Sequence, residues 1–499
     1  MHRSNRSGLI VVSNRLPIVL SREADDRITA QPGTGGLVTA LLPVLRDRGG
    51  IWVGWSGVTG TVRNLKSLLA GATRKAGYRL HPVSLTREEQ EKFYYGFSNE
   101  VIWPLFHDFE ALCNFEPDYW RMYVSVNRRY AEAVAEISAA DDFVWIHDYQ
   151  LMNVAQELRA LGSRAKIAFF LHIPVPPPDI YAKLPWRFQL LRALLEYDLI
   201  GFQTLRDRRN FVRCLRTLVK DVRVQGRGQV ITATVGGREV RIGNFPIGID
   251  FDAWAQQARS PEITGKVADL RALLPNRQLL LGIDRLDYTK GIPQRLRAFR
   301  NALARYPDLH ERVTLIQVVV PSREHIPRYN ELKNQIEGLV SEINGEYTRP
   351  GGWVPIHHVF RGVSTTDLLT YYRAADIALV TPLKDGMNLV AKEYCACSIE
   401  KDCVLILSEF AGAADQLQHG ALLVNPNDLE GTADAIYRAF RMSLGERRAR
   451  MRRLRRVIRQ QDVFWWVDSF LRAAIAKDIS AFPVLEDYVP SDVLGGSGL

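Results

Sequence analysis

ADIALVTPLKDGMNLVAKE, residues 375–393, decides how this chain folds. An apolar run from Ile377 to Val380 hands over to a turn of small, polar and glycine residues, and the turn opens a helical segment with an inward acid, Glu393. Strand, glycine turn and helix in that order are the building unit of doubly wound α/β sheets, which bind ligands beyond the carboxyl ends of their strands. The helix start offers backbone N–H groups from Gly386, Met387, Asn388 and Leu389, and Asp385 is placed to accept from hydroxyls. The expected ligand carries both hydroxyls and phosphates.

Working outward, GIDRLDYTKG at 282–291 follows another apolar run, QLLLGI, and places Arg285 and Lys290 at a second strand end. A planar guanidinium and a point-charge ammonium together suit a diphosphate and the charge that develops on it as a leaving group. The competing reading is a surface ion pair with Asp284 or Asp287. Strand-like runs alternate with helical segments along the whole chain: LIVVSN, GIWVGW, DFVWIHD, AKIAFFLH, DLIGFQ and VRIGNFPIG, then LLLGIDR, VTLIQVVV, IHHVF, IALVTP and CVLILSE. This alternation predicts two doubly wound, Rossmann-like α/β domains with parallel sheets, meeting near Gly248.

Composition narrows the class. The chain has 499 residues, 46% of them hydrophobic, enough for two sizeable cores. No run reaches the roughly 18 to 20 apolar residues of a membrane span, and MHRSNRSG lacks the apolar centre of a signal peptide, so a cytoplasmic protein with no membrane partner is expected. Five cysteines in so long a chain argue against a disulfide framework, and Cys395 and Cys397 read as core thiols on one helix. The net charge of +10 is concentrated in RMSLGERRARMRRLRRVIRQ, residues 441–460. Met451, Leu454 and Ile458 there repeat at helical spacing and no aromatic interleaves the charges, so we read a solvated basic helix and expect no nucleic-acid partner. The turn GTGGL at 33–37 lacks the full dinucleotide pattern, which disfavours a nicotinamide dehydrogenase. Asp250 and Asp252 form an acid-x-acid pair after a turn, read as a helix cap or surface pair, and no metal is expected.

These two blocks, with SNRLPIV (13–19), GTGGL (33–37), FYYGFSNEVIWP (93–104), WIHDYQL (145–151), FFLHIPVPPP (169–178), VVPSRE (319–324) and LSEFAGAA (407–414), resemble the trehalose-6-phosphate synthase family in order from about Leu9 to about Phe470. The resemblance implies a GT-B-type retaining glucosyltransferase with its domains facing across a cleft. It implies an acceptor-binding domain at 1–247, a nucleotide-sugar domain at 248–470, and a segment at 471–499 crossing back to the first. Catalytic roles are implied for His172, Arg285, Lys290 and Asp385. Donor contacts are implied for Gly35, Gly36, Arg285, Lys290, Asp385, Gly386, Met387, Asn388, Leu389, Val390 and Glu393, and acceptor contacts for Arg15, Tyr94, Trp103, Asp148 and Arg323. From the residues alone, His172 can also be read as a core histidine, Tyr94 and Trp103 as core aromatics, and Asp148 as a helix cap.

The implied partners are a nucleotide-glucose (UDP-, ADP- or GDP-glucose) and glucose 6-phosphate, with no cofactor beyond the nucleotide sugar. A homo-oligomer and a separate trehalose-6-phosphate phosphatase acting downstream are also expected. Glycerol 3-phosphate as acceptor, and a non-catalytic sugar-phosphate sensor, stand as alternatives.

Overall fold

The computed structural model describes residues 8–22, 28–32, 49–60, 78–323, 326–349 and 352–476, with single positions at 38, 41, 42, 45, 65, 69, 482, 485 and 488. The chain divides into two compact units. One runs to Ile247 and resumes at Val463; the other begins at Gly248 and ends at Asp462, with Tyr488 belonging to it.

Strands of the first unit are β1 (Leu9–Arg15), β2 (Ile18–Arg22), β3 (Ile28–Pro32), β4 (Ile51–Trp55), β5 (Arg79–Val83), β6 (Phe143–His147), β7 (Lys166–Phe170), β8 (Leu199–Phe202), β9 (Arg223–Gln225), β10 (Val230–Val235) and β11 (Arg238–Asn244). Apart from the β2–β3 hairpin they form one sheet in the order β5-β4-β1-β6-β7-β8-β11-β10-β9. From β5 to β11 the pairing is parallel, and the central strands are buried on both faces, which is why they read as continuous apolar runs.

The expectation of a wholly parallel sheet fails at one edge, where β10 pairs antiparallel with β11 and β9. Gly236 and Gly237, with φ of 56° and 82°, form the two-residue turn of that hairpin, because both positions need positive φ.

The second unit holds β12 (Gln278–Arg285), β13 (Val313–Val320), β14 (Ile356–Phe360), β15 (Ile377–Val380), β16 (Val404–Ser408) and β17 (Leu422–Val424), all parallel, in the order β14-β13-β12-β15-β16-β17. The first strand lies in the middle and the chain winds outward in both directions. The order therefore reverses between β12 and β15, and in the first sheet between β1 and β6. Loops leaving the two strands at such a point diverge and leave a crevice for ligand.

The return to the first unit starts at Val463, earlier than the expected boundary at 470. The apolar face of FWWVDSFL is already committed there: in the helix Val463–Ile475, Phe470 stacks on Trp145 at 4.5 Å and Trp466 lies 5.1 Å from both Trp145 and Phe170. Gly248, the first residue of the second unit, rests on the backbone of Asp462, where a Cβ would stand 2.3 Å from the Asp462 carbonyl carbon.

The basic helix, Leu444–Gln460, is only partly solvated. Met451, Leu454 and Ile458 face inward as expected, but so do Arg447 and Arg455. Arg455 Nη1 donates to the carbonyls of Cys395 (2.7 Å) and Ala396 (2.5 Å) in the last turn of the helix Leu389–Cys397, where backbone donors run out and the Cys395 carbonyl has only the Ser398 N–H at 3.3 Å besides. Arg455→Leu is expected to destabilise the fold by about 3 kcal/mol, since two buried carbonyls lose charge-assisted donors. The urea midpoint reads this; an unchanged midpoint contradicts it. Cys395 and Cys397 are free, buried thiols, and Asp250 caps the helix Phe251–Ala258 by accepting from Ala253 N–H at 3.0 Å. Among the described residues no helix is long and apolar enough to cross a membrane.

Candidate functional site

In the second unit the loop after β12 and the loop after β15 meet at the switch point. Thr289 carbonyl accepts from Leu383 N–H at 2.7 Å, tying the loops together. Lys290 Nζ then reaches Asp385 Oδ2 at 2.5 Å, and Asn388 Nδ2 donates to the same oxygen at 3.1 Å. Asn388, at φ 78°, caps the helix Leu389–Cys397 by accepting from Ala391 N–H. The N–H groups of Gly386, Met387 and Leu389 have no acceptor among the described residues and stand at the positive end of that helix, followed by Val390.

Arg285 is exposed and makes no ion pair among the described residues; Asp284 pairs instead with buried Arg295 at 2.7 Å. The surface-pair reading of the two cations with Asp284 or Asp287 therefore does not hold.

Half-buried Glu393, one turn into the helix, accepts from Tyr372 OH at 2.8 Å. Burial pushes its carboxyl up to about 7, and the Tyr372 hydrogen bond only partly offsets this. The neighbouring Lys392 points elsewhere, donating to Gln416 Oε1 at 2.6 Å, and burial lowers its ammonium to about 7.

Arg323, after β13, lies in the same unit. Its Nη1 meets Asp287 Oδ2 at 3.1 Å and Tyr329 OH at 2.7 Å. Burial alone would raise Asp287, but the Arg323, Lys290 and Arg285 charges and the Thr289 N–H outweigh it and hold the carboxyl below its usual range.

In the first unit Arg15 ends β1 and Asp148 opens the loop after β6. Arg15 lies 4.7 Å from the Trp55 ring and 5.8 Å from the Tyr94 ring. Tyr94 belongs to an unusually wide i→i+5 helix, Gln90–Ile102, and a bonded chain runs from it: Asn99 Nδ2 donates to Tyr94 carbonyl at 2.6 Å, and Tyr149 OH to Asn99 Oδ1 at 3.0 Å. The Trp103 ring is 5.7 Å from Tyr149. Asp148 does not cap the following helical turn as the alternative reading had it. Its φ is 75°, and its carboxylate faces the His172 N–H at 3.3 Å. Asp148, Arg323 (52°) and Asn388 are all non-glycine residues at positive φ in these loops, strain of the kind that gathers where a site must be preorganised.

His172 Nε2 lies 3.2 Å from His147 Nδ1, and His172 Nδ1 lies 3.4 Å from Gln203 Nε2. Gln203 Oε1 accepts from Ile247 N–H, so its amide nitrogen is the end that faces His172. His172 consequently carries its proton on Nε2 and donates it to His147. Burial drives His172 down to about 3 and His147 well below the usual imidazole range, so both rings are neutral.

The first unit thus brings together Arg15, Tyr94, Trp103, Asp148 and His172, and the second Arg285, Lys290, Asp385, Asn388, Glu393 and Arg323. Gly35 and Gly36 lie outside the described residues. Sequence reasoning weighed Asp287 only as a pair for Arg285 or Lys290 and missed it as the partner of Arg323; it also missed Tyr329 and Tyr372, and Gln203 and His147 as the groups that orient His172. Asp287 and His147 had a signal, their places inside GIDRLDYTKG and WIHDYQL; Tyr329 and Tyr372 had none.

Two doubly wound α/β units, each with a polar site beyond its strand ends at the switch point, form the architecture of a GT-B-type glycosyltransferase. The chain belongs to glycosyltransferase family 20, whose model matches residues 7–476. It is 44% identical over 475 residues to the trehalose-6-phosphate synthase of Mycobacterium marinum, covering 94% of this chain and 93% of that one. Against the enzyme of the same name from Mycobacterium tuberculosis strain H37Rv it is 43% identical over 474 residues, covering 94% of each.

Among solved structures it matches an α,α-trehalose-phosphate synthase (UDP-forming) from Burkholderia xenovorans in complex with glucose 6-phosphate. The TM-score is 0.84 at 34% identity, covering 93% of this chain and 99% of that one. A structure from E. coli, described as trehalose-6-phosphate bound with UDP-2-fluoro glucose, matches with a TM-score of 0.84 at 38% identity, over 94% of this chain and 99% of that one.

Proposed function

We propose that the chain is a trehalose-6-phosphate synthase that moves glucose, with retention, from a nucleotide-glucose to glucose 6-phosphate, forming α,α-trehalose 6-phosphate. UDP-glucose is the first candidate donor. The observation that carries this reading is the junction of Lys290, Asp385 and the helix start at Leu389, at the switch point of the second sheet. It offers cations and N–H groups to a diphosphate and a carboxylate to sugar hydroxyls.

Lys290 and Arg285 bind the donor diphosphate with the N–H groups of Gly386, Met387 and Leu389, and Val390 follows in the first helical turn. Asp385 accepts from a glucose hydroxyl, and Glu393 from the ribose diol. Arg15 and Arg323 hold the acceptor phosphate. Tyr94 and Trp103 give flat faces to the pyranose, and Asp148 accepts from its hydroxyls. Neutral His172, with its tautomer fixed through Gln203, lines the transferred sugar and offers its backbone carbonyl near C1.

In the reaction the bond from C1 to the diphosphate oxygen breaks and the acceptor oxygen bonds C1 on the same face. Its proton passes to the departing diphosphate, so the protein contributes position and charge stabilisation.

Donor binding should carry the titration of Glu393. The carboxylate, not the acid, accepts both ribose hydroxyls. Donor affinity is therefore expected to rise as pH climbs through about 7, the value to which burial pushes this group. In Glu393→Gln that pH dependence should vanish. Titrating UDP-glucose between pH 5.5 and 8.5 checks both chains, and a wild-type affinity that is flat across pH 7 removes Glu393 from the ribose contact.

The function is tested by nucleoside diphosphate release from UDP-, ADP- and GDP-glucose, each with glucose 6-phosphate or glycerol 3-phosphate. Release with glucose 6-phosphate, yielding a non-reducing disaccharide phosphate, is expected. Release only with glycerol 3-phosphate identifies a glucosylglycerol-phosphate synthase. Ligand binding without release identifies a sugar-phosphate sensor. The paired aromatic residues Tyr94 and Trp103 favour the hexose.

A further inference from the structure

At the opposite end of the second sheet, the amino ends of β12 and β13 border a concavity of about 380 Å³. Arg271, Arg277 and Arg312 line it with Asn276, Gln278 and Phe440, and no carboxylate is among its lining residues. Gln278 and Val313 are register partners in the parallel ladder and Gln278 N–H donates to the Arg312 carbonyl at 2.8 Å, so Arg277 and Arg312, the residues just before each strand, are lateral neighbours. Parallel strands lie about 4.8 Å apart, and like charges facing each other across that spacing repel.

Of the three guanidiniums only Arg271 is neutralised, by Asp376 Oδ2 at 2.9 Å, and that carboxylate is also held by Leu279 N–H at 2.7 Å. Arg277 and Arg312 make no ion pair among the described residues. Arg312 is laid on the Phe440 ring at 4.8 Å, which restrains its position, and Arg277 follows Asn276 at φ 57°. After burial, the Arg277 charge is the further cause that lowers the His357 imidazole.

We propose that this concavity is a second anion site, for the phosphate or diphosphate group of a small phosphorylated molecule, held by Arg277 and Arg312. Two guanidiniums side by side match the oxygens of one phosphate dianion in a way that neither does alone. The volume falls within the range of small-molecule pockets, roughly 300 to 1,000 Å³. The site is about 25 Å from the loops after the same strands, since β12 alone spans eight residues at about 3.3 Å each. It is therefore separate from the diphosphate site assigned above.

Calorimetric titration of the full chain with inorganic pyrophosphate tests this. To remove the contribution of the donor loop, the Lys290→Ala chain is compared with the same chain carrying Arg277→Ser and Arg312→Ser. Saturable pyrophosphate binding by Lys290→Ala, weakened at least tenfold by the two serines and by added salt, is the expected result. Affinity unchanged within twofold, or no saturable binding by Lys290→Ala, overturns the proposal.

Glutamine at both positions preserves length and hydrogen bonding should the serine chain not fold, and the same tenfold loss is expected of it. With Lys290 intact, Arg277→Ser and Arg312→Ser should leave glucosyl transfer within twofold. Should the unaltered chain transfer no glucose, the proposed function falls while the titration still decides the anion site.

Discussion

Lys290→Ala is expected to lower kcat by about a hundredfold or more, the loss seen when one preorganised donor to a developing negative charge is removed. Lys290 leaves a 3-10 turn whose start is fixed by Asp287, which accepts from the Thr289 N–H and hydroxyl at 3.0 and 2.9 Å. The side chain is 10% exposed and bonded to Asp385. A cation held this firmly loses little order when the diphosphate departs, so it favours the transition state over bound substrate.

Alanine also strips Asp385 of its counter-charge. A largely buried carboxylate that loses its lysine and keeps the neutral Asn388 amide is costly, so part of the damage will be to stability. The double variant Lys290→Ala/Asp385→Asn separates the two effects. It is expected to recover the urea midpoint of the parent while turnover, measured as nucleoside diphosphate release at saturating substrates, stays at or below the level of Lys290→Ala, because Asp385 also contacts the glucose. Near-normal turnover in the single variant would remove Lys290 from the leaving-group contact.

Arg323→Ala is expected to raise the KM for glucose 6-phosphate on the order of a hundredfold, as the loss of one or two charge-assisted contacts to a phosphate implies. Donor affinity, measured without acceptor, should change less than threefold. Arg323 is aimed by Asp287 and the Tyr329 hydroxyl. Tyr329→Phe should therefore raise the acceptor KM in the same direction and by less.

The variant also changes acid stability, and the sign follows from Asp287. Its folded carboxyl is held below the ordinary value, so it contributes stability that is full above the unfolded pKa and is lost as pH falls through the folded one. With Arg323 gone, Asp287 rises toward ordinary values, and the loss on acidification begins at higher pH. Urea midpoints of both chains between pH 3 and 7 measure this. An acceptor KM equal to that of the parent would exclude Arg323 from the phosphate contact.

Much of the fold was legible because parallel strands buried on both faces must be apolar throughout, and helices between them must carry one apolar stripe. VTLIQVVV and IALVTP could hardly be anything else. The hairpin edge of the first sheet escaped notice because β9 has only three residues and β10 is buried over only half its length, although Gly236-Gly237 signals a tight turn.

For the site, the sequence placed Arg285, Lys290, Asp385 and Glu393 at strand ends and in helix starts, since those positions are set by local geometry. It could not reveal that Lys290 bonds Asp385, 95 residues away. Nor could it turn Arg447 and Arg455 inward from a helix of identical-looking arginines.

Sequence alone determined the alternation of strands and helices, the strand-end positions of the charged groups and the family likeness, because each depends on neighbours in the chain. Tertiary structure decided the winding order, which makes β12 and β15 adjacent, and with it the partner of every buried charge. An ion pair is chosen by distance in space, and that distance is set only when the sheet closes around its switch point.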